Sequence, residues 1–391
     1  MPGRSFPWAG RPVRGKERRS ERLLPAAVAS TIRRVTRLLL AAGAALAVAV
    51  GGAAAEPDGS YPRARGITVP RGFRAEIYAT GVAGASALAF GPDQRLYAAL
   101  AGGQVVVVPP GSGRPQLFAS GFRTPLGLAW LGRTLYVSGQ GRLESVRLSR
   151  GRALARRTVL SGLPFGLHQQ DNVVVGPDGR LYLGSGSTCN ACRERDRRSA
   201  AILSLRPDGS DLRVLATGLR NPFGLAFRPG TGRLYATVNA RDDLDSPGDP
   251  EPAEMVVAVR PGAFYGWPGC WPSARTLRLV GSCRGVTPPA VYLEPHSSAD
   301  GIAFYTGRSF PRPYRGNLFV AEWGQYLSTR HGRRVVRVVL GRDGAATPRS
   351  TSIFADGFEH PLALAVDRLG GLLVTDFGRG VIYRIQAAGR R

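Results

Sequence analysis

Lysine is almost missing from this 391-residue chain: Lys16 is the single one, so nearly all of the formal charge of +26 rests on arginine. A basic balance of this size suits a nucleic-acid binder when the cations form a stripe. Here they are scattered over strand-like runs and turns alike, which argues against nucleic acid and leaves a general attraction to anionic surfaces. Histidine is nearly as scarce, with four residues, so the roster of candidate general bases is short. No long apolar stripe of period 3.6 competes with the period-two runs described next. The stretch Cys189-Asn190-Ala191-Cys192 is followed by Arg193 and not by His, which excludes covalent haem attachment.

What is abundant is glycine, 52 residues, with 30 prolines, and much of it punctuates a repeat. Six times a small apolar strand, a tight turn and a second apolar strand recur. The copies begin near Gly81 (ALAF-GPDQ-RLYAAL), Gly121, Gly166, Gly218, His296 and Gly357. Most are followed by a third strand-like run, as at Gln104–Val108, Ala201–Leu205 and Arg334–Val338. Six repeats of three or four strands predict an all-β, six-bladed β-propeller. The run Phe73–Thr80 is expected to complete the last blade and close the ring, removing an edge that would otherwise offer unpaired backbone. Repeat starts lie about 40 to 50 residues apart at first and wider later, the excess falling in 240–253 and 262–289, where inserts of this kind carry function.

Ten basic and two acidic residues occupy positions 1–37, and Leu38–Ala55 is uncharged and ends in three alanines, the layout of a secretory signal. Residues 1–55 are therefore expected to be a signal peptide or an N-terminal membrane anchor, and 56–391 the propeller. Arg33-Arg34 raises a twin-arginine signal, but Thr36 and Arg37 stand where apolar residues are needed. Without the leader the charge is +18 on about 336 residues, a size for one propeller. An exported chain is secreted, periplasmic or held at the cell surface. In such a compartment Cys189, Cys192, Cys270 and Cys283 are expected as disulfides. Sequence leaves three pairings open; Cys189–Cys192 and Cys270–Cys283 are preferred, with a four-thiolate zinc site as the rival.

On a propeller, chemistry comes from groups that the blade loops gather at one end of the channel. His168 precedes an inner strand at that end, and the corresponding place one repeat on reads Arg220-Asn221, a bidentate cation and an amide suited to an anionic planar ligand. Asn239-Ala240-Arg241-Asp242-Asp243 and the acids Asp245, Asp249, Glu251 and Glu254 suit a hard cation. Tyr265 and Trp267 place rings where a flat molecule could stack, with burial in the blades as the alternative.

These stretches together resemble the glucose/sorbosone dehydrogenase family of soluble quinoprotein propellers. The resemblance rests on His168 and Asn172 before GPDGRLYLGSGSTCNAC, then GLRNPFGLAF, LYATVNARDDL, FYGWPGCW, HSSADGIAFYTGRSFPRPYRGNLFVAEWG and RRVVRV, in that order from about Ile67 to Ile385. It implies oxidation of an aldose, sorbosone or similar sugar with pyrroloquinoline quinone (PQQ) held through calcium. His168 would be the general base and Arg220 would stabilise the reduced quinone. Asn221, Asn239, Arg334, Tyr265 and Trp267 would bind the cofactor, and the carbonyls of Ala240 and Arg241 would hold calcium. Arg334 stands where the family carries a cofactor-gripping lysine, Glu359-His360-Pro361 where it carries an arginine, and the turn Asp367–Gly371 is atypical. The electron acceptor has no signature in the sequence. Two other readings use the same scaffold: a metal-dependent lactonase, which needs carboxylates from several blades where the sequence offers acids mainly in one loop, and a non-catalytic propeller that binds sugar or protein.

Overall fold

The computed structural model describes residues 61–388 apart from 112, 245–250, 326–329 and 348–349. The leader and the acids Asp245 and Asp249 lie outside the described residues. Among the described residues there is no α-helix, and no helix is long and apolar enough to cross a membrane.

Six antiparallel four-stranded sheets form the blades. Blade 1 is β2 (Ala85–Phe90), β3 (Leu96–Leu100), β4 (Gln104–Val108) and β5 (Gln116–Ser120); blade 2 is β6 (Gly127–Leu131), β7 (Thr134–Gly139), β8 (Arg142–Ser149) and β10 (Arg157–Ser161), with the short β9 (Arg152–Ala153) beside β8. Blade 3 is β11 (Gln170–Val175), β12 (Leu181–Ser185), β13 (Ala201–Leu205) and β14 (Arg213–Thr217). Blade 4 is β15 (Asn221–Phe227), β16 (Leu234–Asn239), β17 (Met255–Ala258) and β20 (Val291–Tyr292). Blade 5 is β21 (Ala299–Phe304), β22 (Leu318–Glu322), β23 (Arg334–Val338) and β24 (Thr351–Asp356). Blade 6 joins β25 (Pro361–Val366), β26 (Leu372–Asp376) and β27 (Val381–Ala387) to β1 (Phe73–Thr80), so the expected closure is present: the first strand pairs with the last.

Apolar side chains on both faces of each sheet explain the near-continuous Val, Leu and Ala runs, because every blade is covered on two sides. The core accordingly divides into six clusters, one between each pair of neighbouring blades. Buried hydroxyls tie neighbouring blades together. Ser86 Oγ donates to Pro125 O at 2.6 Å, Ser138 Oγ to Asp171 O, and Thr237 Oγ1 to Asp300 O, each from one blade to the next. Each such bond contributes about 1 kcal/mol net.

One feature of the inner strands positions the site. In blades 1, 3, 4, 5 and 6 the register with the second strand shifts within the first few residues, as between Gln170 and Val173 or Ala299 and Ile302. A bulge of this kind breaks the in/out alternation and re-aims side chains at the strand start. The second long insert holds a hairpin, β18 (Cys270–Pro272) with β19 (Leu279–Gly281), and a segment that runs parallel to β14 through a Thr217–Phe264 bridge. That path carries Trp267 to Gly218 and Asn190.

Candidate functional site

A cavity of about 250 Å³ lies where the first strands of blades 3, 4 and 5 begin; its walls include His168, Arg220, Asn221, Asn239, Asp300 and Trp323. His168 precedes β11; its backbone N–H donates to Ser187 O, and Ser187 N–H donates in turn to Arg220 O. Its Nδ1 lies 2.9 Å from Ser187 Oγ. Ser187 has one hydroxyl proton and donates it to Cys189 O at 2.6 Å. The contact with the ring must then be donated by Nδ1–H, which leaves Nε2 as the acceptor. Burial, with the Arg220 charge acting in the same direction, pushes the imidazole down to about 3, so the ring is neutral. Gly186 allows this packing: a Cβ there would lie 2.4 Å from His168 Cβ and 2.5 Å from Asn221 Oδ1.

Arg220 is buried, 3% exposed, and its guanidinium is held from one side. Nε donates to Asn190 O at 3.2 Å, and Nη2 to Asn190 Oδ1 at 2.8 Å and to the Asp242 carboxylate. Nη1 has no partner among the described residues. From Arg220 the chain enters β15, where Asn221 Nδ2 donates to Asn239 Oδ1 (2.8 Å). Asn239 Nδ2 in turn reaches Ala299 O and Asp300 Oδ1 in blade 5. Asn221 Oδ1 is buried without a hydrogen-bond partner among the described residues.

Beneath these amides the site is acidic. Burial pushes Asp300 up to about 8, against the donation from Asn239. Burial likewise raises Glu254 well above the usual carboxylate range, although its Oε2 accepts the Ala240 amide at 2.7 Å. Asp171 is raised by burial and by Asp300. Asp171, Glu254 and Asp300 come from blades 3, 4 and 5. Glu254 belongs to the acidic loop that was expected, but the expectation that acids come mainly from that loop is corrected by Asp171 and Asp300, which sit at the bulges of two inner strands and near enough for Asp300 to raise Asp171.

Ala240 and Arg241 follow β16 at the rim; Arg241 pairs with Asp243 and donates to Pro268 O. The other expected residues lie apart from the cavity. Tyr265 is 2% exposed in the core between blades 3 and 4, its hydroxyl donating to Ala258 O and accepting from Arg260 N, so it has no open face for stacking. Trp267 is buried, its indole N–H donating to Asn190 O at 2.9 Å. Arg334 is engaged by Glu322 at 2.6 Å and by Glu294, so both carboxylates draw on its charge. The aromatic wall is instead Trp323, which stacks on His360 with ring centroids 3.8 Å apart. Ser187, Asn190, Asp300 and Trp323 are the residues that sequence reasoning passed over; the polar residues at the starts of β2, β11 and β15 (Ser86, Gln170 and Asn221) were the available signal for Asp300.

The donor set fits the group that the resemblance implies. The Arg220 Nη1 donor and an aromatic wall suit a flat anionic quinone, while the unpartnered Asn221 oxygen and clustered acids suit a divalent cation. Both cysteine pairs are disulfides, Cys189–Cys192 and Cys270–Cys283, as preferred from sequence. A zinc site at either is thereby excluded.

Among solved structures, the chain is similar to the holo form of the pyranose dehydrogenase PQQ domain from Coprinopsis cinerea (19% identity, TM-score 0.70, 84% of this chain and 99% of that one). It is also similar to the PQQ-bound aldose sugar dehydrogenase of Streptomyces coelicolor (22%, 0.62, 82% and 100%). A candidate oxidoreductase (glucose dehydrogenase) of Thermus thermophilus matches at 26% identity and TM-score 0.63, over 80% of this chain and 100% of that one. Among curated proteins it matches an uncharacterized protein of Borreliella burgdorferi at 25% identity over 225 residues, 54% of this chain; the chain spans 58% of that relative's length. Residues 133–354, more than half of the chain and the stretch that supplies His168, Arg220, Asn239 and Asp300, match the profile of the Glucose / Sorbosone dehydrogenase family, and the protein belongs to that family.

Proposed function

We propose that the chain is an exported sugar dehydrogenase that uses PQQ with calcium and His168 as its base. One observation carries this reading: a neutral imidazole, its Nδ1 proton committed to Ser187, sits in one cavity with a buried arginine whose Nη1 has no partner among the described residues. The quinone, when bound, supplies a hydride acceptor. The chain's own residues do the rest. His168 Nε2 takes the proton of the sugar hydroxyl as the carbon gives up its hydride, the task for which an unprotonated, oriented imidazole is needed. Arg220 offers a fixed positive charge where negative charge develops, without reorganisation. Asn221, Asn239 and Trp323 orient the planar cofactor, and the carbonyls of Ala240 and Arg241 with the nearby carboxylates hold the cation. The sugar is an aldose, sorbosone or a relative of these, and the electrons pass to an acceptor outside this chain.

The test is a spectroscopic titration of the purified protein with PQQ, with and without calcium, followed by an aldose. Calcium-dependent, saturable binding and reduction of the quinone by sugar are expected. Absence of binding at micromolar quinone overturns the reading. The convergence of Asp171, Glu254 and Asp300 favours one second reading, a metal-dependent lactonase, which would act with metal and no quinone.

A further inference from the structure

The stretch Cys189–Cys192 is a hub. Its first carbonyl, Cys189 O, accepts the Ser187 hydroxyl that fixes the His168 tautomer. The next carbonyl, Asn190 O, accepts Arg220 Nε at 3.2 Å and Trp267 Nε1 at 2.9 Å. The Asn190 side-chain oxygen accepts Arg220 Nη2 at 2.8 Å and the Asp242 amide at 3.1 Å. Both of those partners are donors, so the atom facing them is the amide oxygen and not the nitrogen. Two consecutive residues, Cys189 and Asn190, thereby hold the serine that orients the base, the buried cation, the acid that pairs with that cation, and the indole of the long insert.

The loop itself is closed twice, by the Cys189–Cys192 disulfide and by Glu194, which accepts from Thr188 N at 2.6 Å and Thr188 Oγ1 at 2.8 Å. A four-residue loop without secondary structure has no ladder to hold its carbonyls in place, and a cross-link between its ends narrows what it can sample.

We propose that Asn190 is a positioning residue of the site, and that the Cys189–Cys192 disulfide serves to hold Asn190 and the Cys189 carbonyl in register with Arg220 and His168. This rests on the reading of His168 and Arg220 as the working pair. The disulfide acts here as an alignment device for two side chains that come from different blades.

The first arm of the test needs neither quinone nor sugar. With four histidines in the chain, the nitrogen-15 spectrum of histidine-labelled protein is simple, and His168→Asn assigns the ring. Wild-type protein is expected to show the Nδ1–H tautomer, and Cys189→Ser with Cys192→Ser to show averaged tautomers at unchanged circular dichroism. The control is Cys270→Ser with Cys283→Ser, which removes the other disulfide and is expected to lower the melting temperature while leaving the His168 tautomer as in wild type. A wild-type tautomer in the Cys189/Cys192 variant, or the same averaging in the control, overturns the proposal.

The second arm uses Asn190→Ala, which keeps the backbone carbonyl and deletes the side-chain oxygen. Misplacement of a positioned group costs up to about 10²-fold, so kcat with an aldose is expected to fall by that order while KM for the sugar is unchanged. Asn190→Asp, which keeps the acceptor, is expected to restore most of the rate. An equal fall in Asn190→Asp and Asn190→Ala overturns the role of the acceptor. Wild-type protein that shows the fixed tautomer, and its loss in the variant, without sugar turnover would refute the dehydrogenase reading and leave the loop's alignment role standing.

Discussion

His168 is defined by what surrounds it: a serine that spends its proton elsewhere, a glycine that makes room, and an arginine that opposes a second positive charge. Replacing it with Asn is expected to cut sugar oxidation by about 10²- to 10⁴-fold with the fold intact, by assay and circular dichroism. The same residue has a stability signature. Its pKa in the fold is about 3 against an ordinary 6.5, so the unfolded chain binds the proton first. Its contribution is full above about pH 6.5 and is lost as pH falls toward 3. His168→Gln should therefore lose less stability than wild type between pH 7 and pH 4, measured by urea unfolding. Asp300 has the opposite sign. With its carboxyl pushed up to about 8, its contribution is full below about pH 4 and is lost as pH rises through 8. Asp300→Asn keeps an oxygen for Asn239 and removes the charge; in calcium-free protein it should raise Tm more at pH 8 than at pH 5. His168, Arg220 and Asn221 could be picked out as candidates because they stand where the inner strands of two successive repeats begin. Ser187 and Asn190 were not, since a serine and an asparagine in a Cys-flanked loop carry no mark of which carbonyl or guanidinium they will meet.

At the scale of elements, strand identity was legible and side-chain direction was not. The runs Gln104–Val108, Ala201–Leu205 and Arg334–Val338 form strands with the bounds expected, because apolar runs between glycine turns suit sheets covered on both faces. The bulges in five inner strands are invisible to a period-two reading, and two of them fall at Asp171 and Asp300, which lie close enough for Asp300 to raise Asp171. Tyr265 shows the converse: an aromatic in a long insert looks available in sequence, but the insert pairs with β14 and buries it. The hairpin of that insert is pinned by Cys270–Cys283, with a sequence separation of 13. Removing this disulfide should destabilise the protein by about 3 kcal/mol on the chain-entropy scale, read as a lowered urea midpoint.

For the whole molecule, the ring closes through β1 and β27, and a buried charge network sits on that seam. Arg384 is 2% exposed and reaches Asp367, Gln386 and, at 3.7 Å, Glu76 of β1. Asp367 also accepts the Gly371 amide at 2.8 Å, which explains the unusual turn Asp367–Gly371: its acid is there for Arg384. Arg384→Met should cost about 3 to 5 kcal/mol, because it strands buried carboxylates, and calorimetry would measure the drop in Tm. Retention of wild-type Tm would mean that the seam is held by apolar packing alone.

The sequence by itself determined the repeat number, the closing strand and the family likeness, and it singled out His168 and Arg220 as candidates, since these depend on composition, spacing and order along the chain. Only the tertiary structure decided that Trp323 and not Tyr265 walls the cavity, that Arg334 is consumed by Glu294 and Glu322, and that the Cys189–Cys192 loop meets Arg220 directly and His168 through Ser187. The physical reason is that contacts between blades join residues far apart in the chain, and their geometry is set by bulges and by the path of an insert, neither of which leaves a periodic trace.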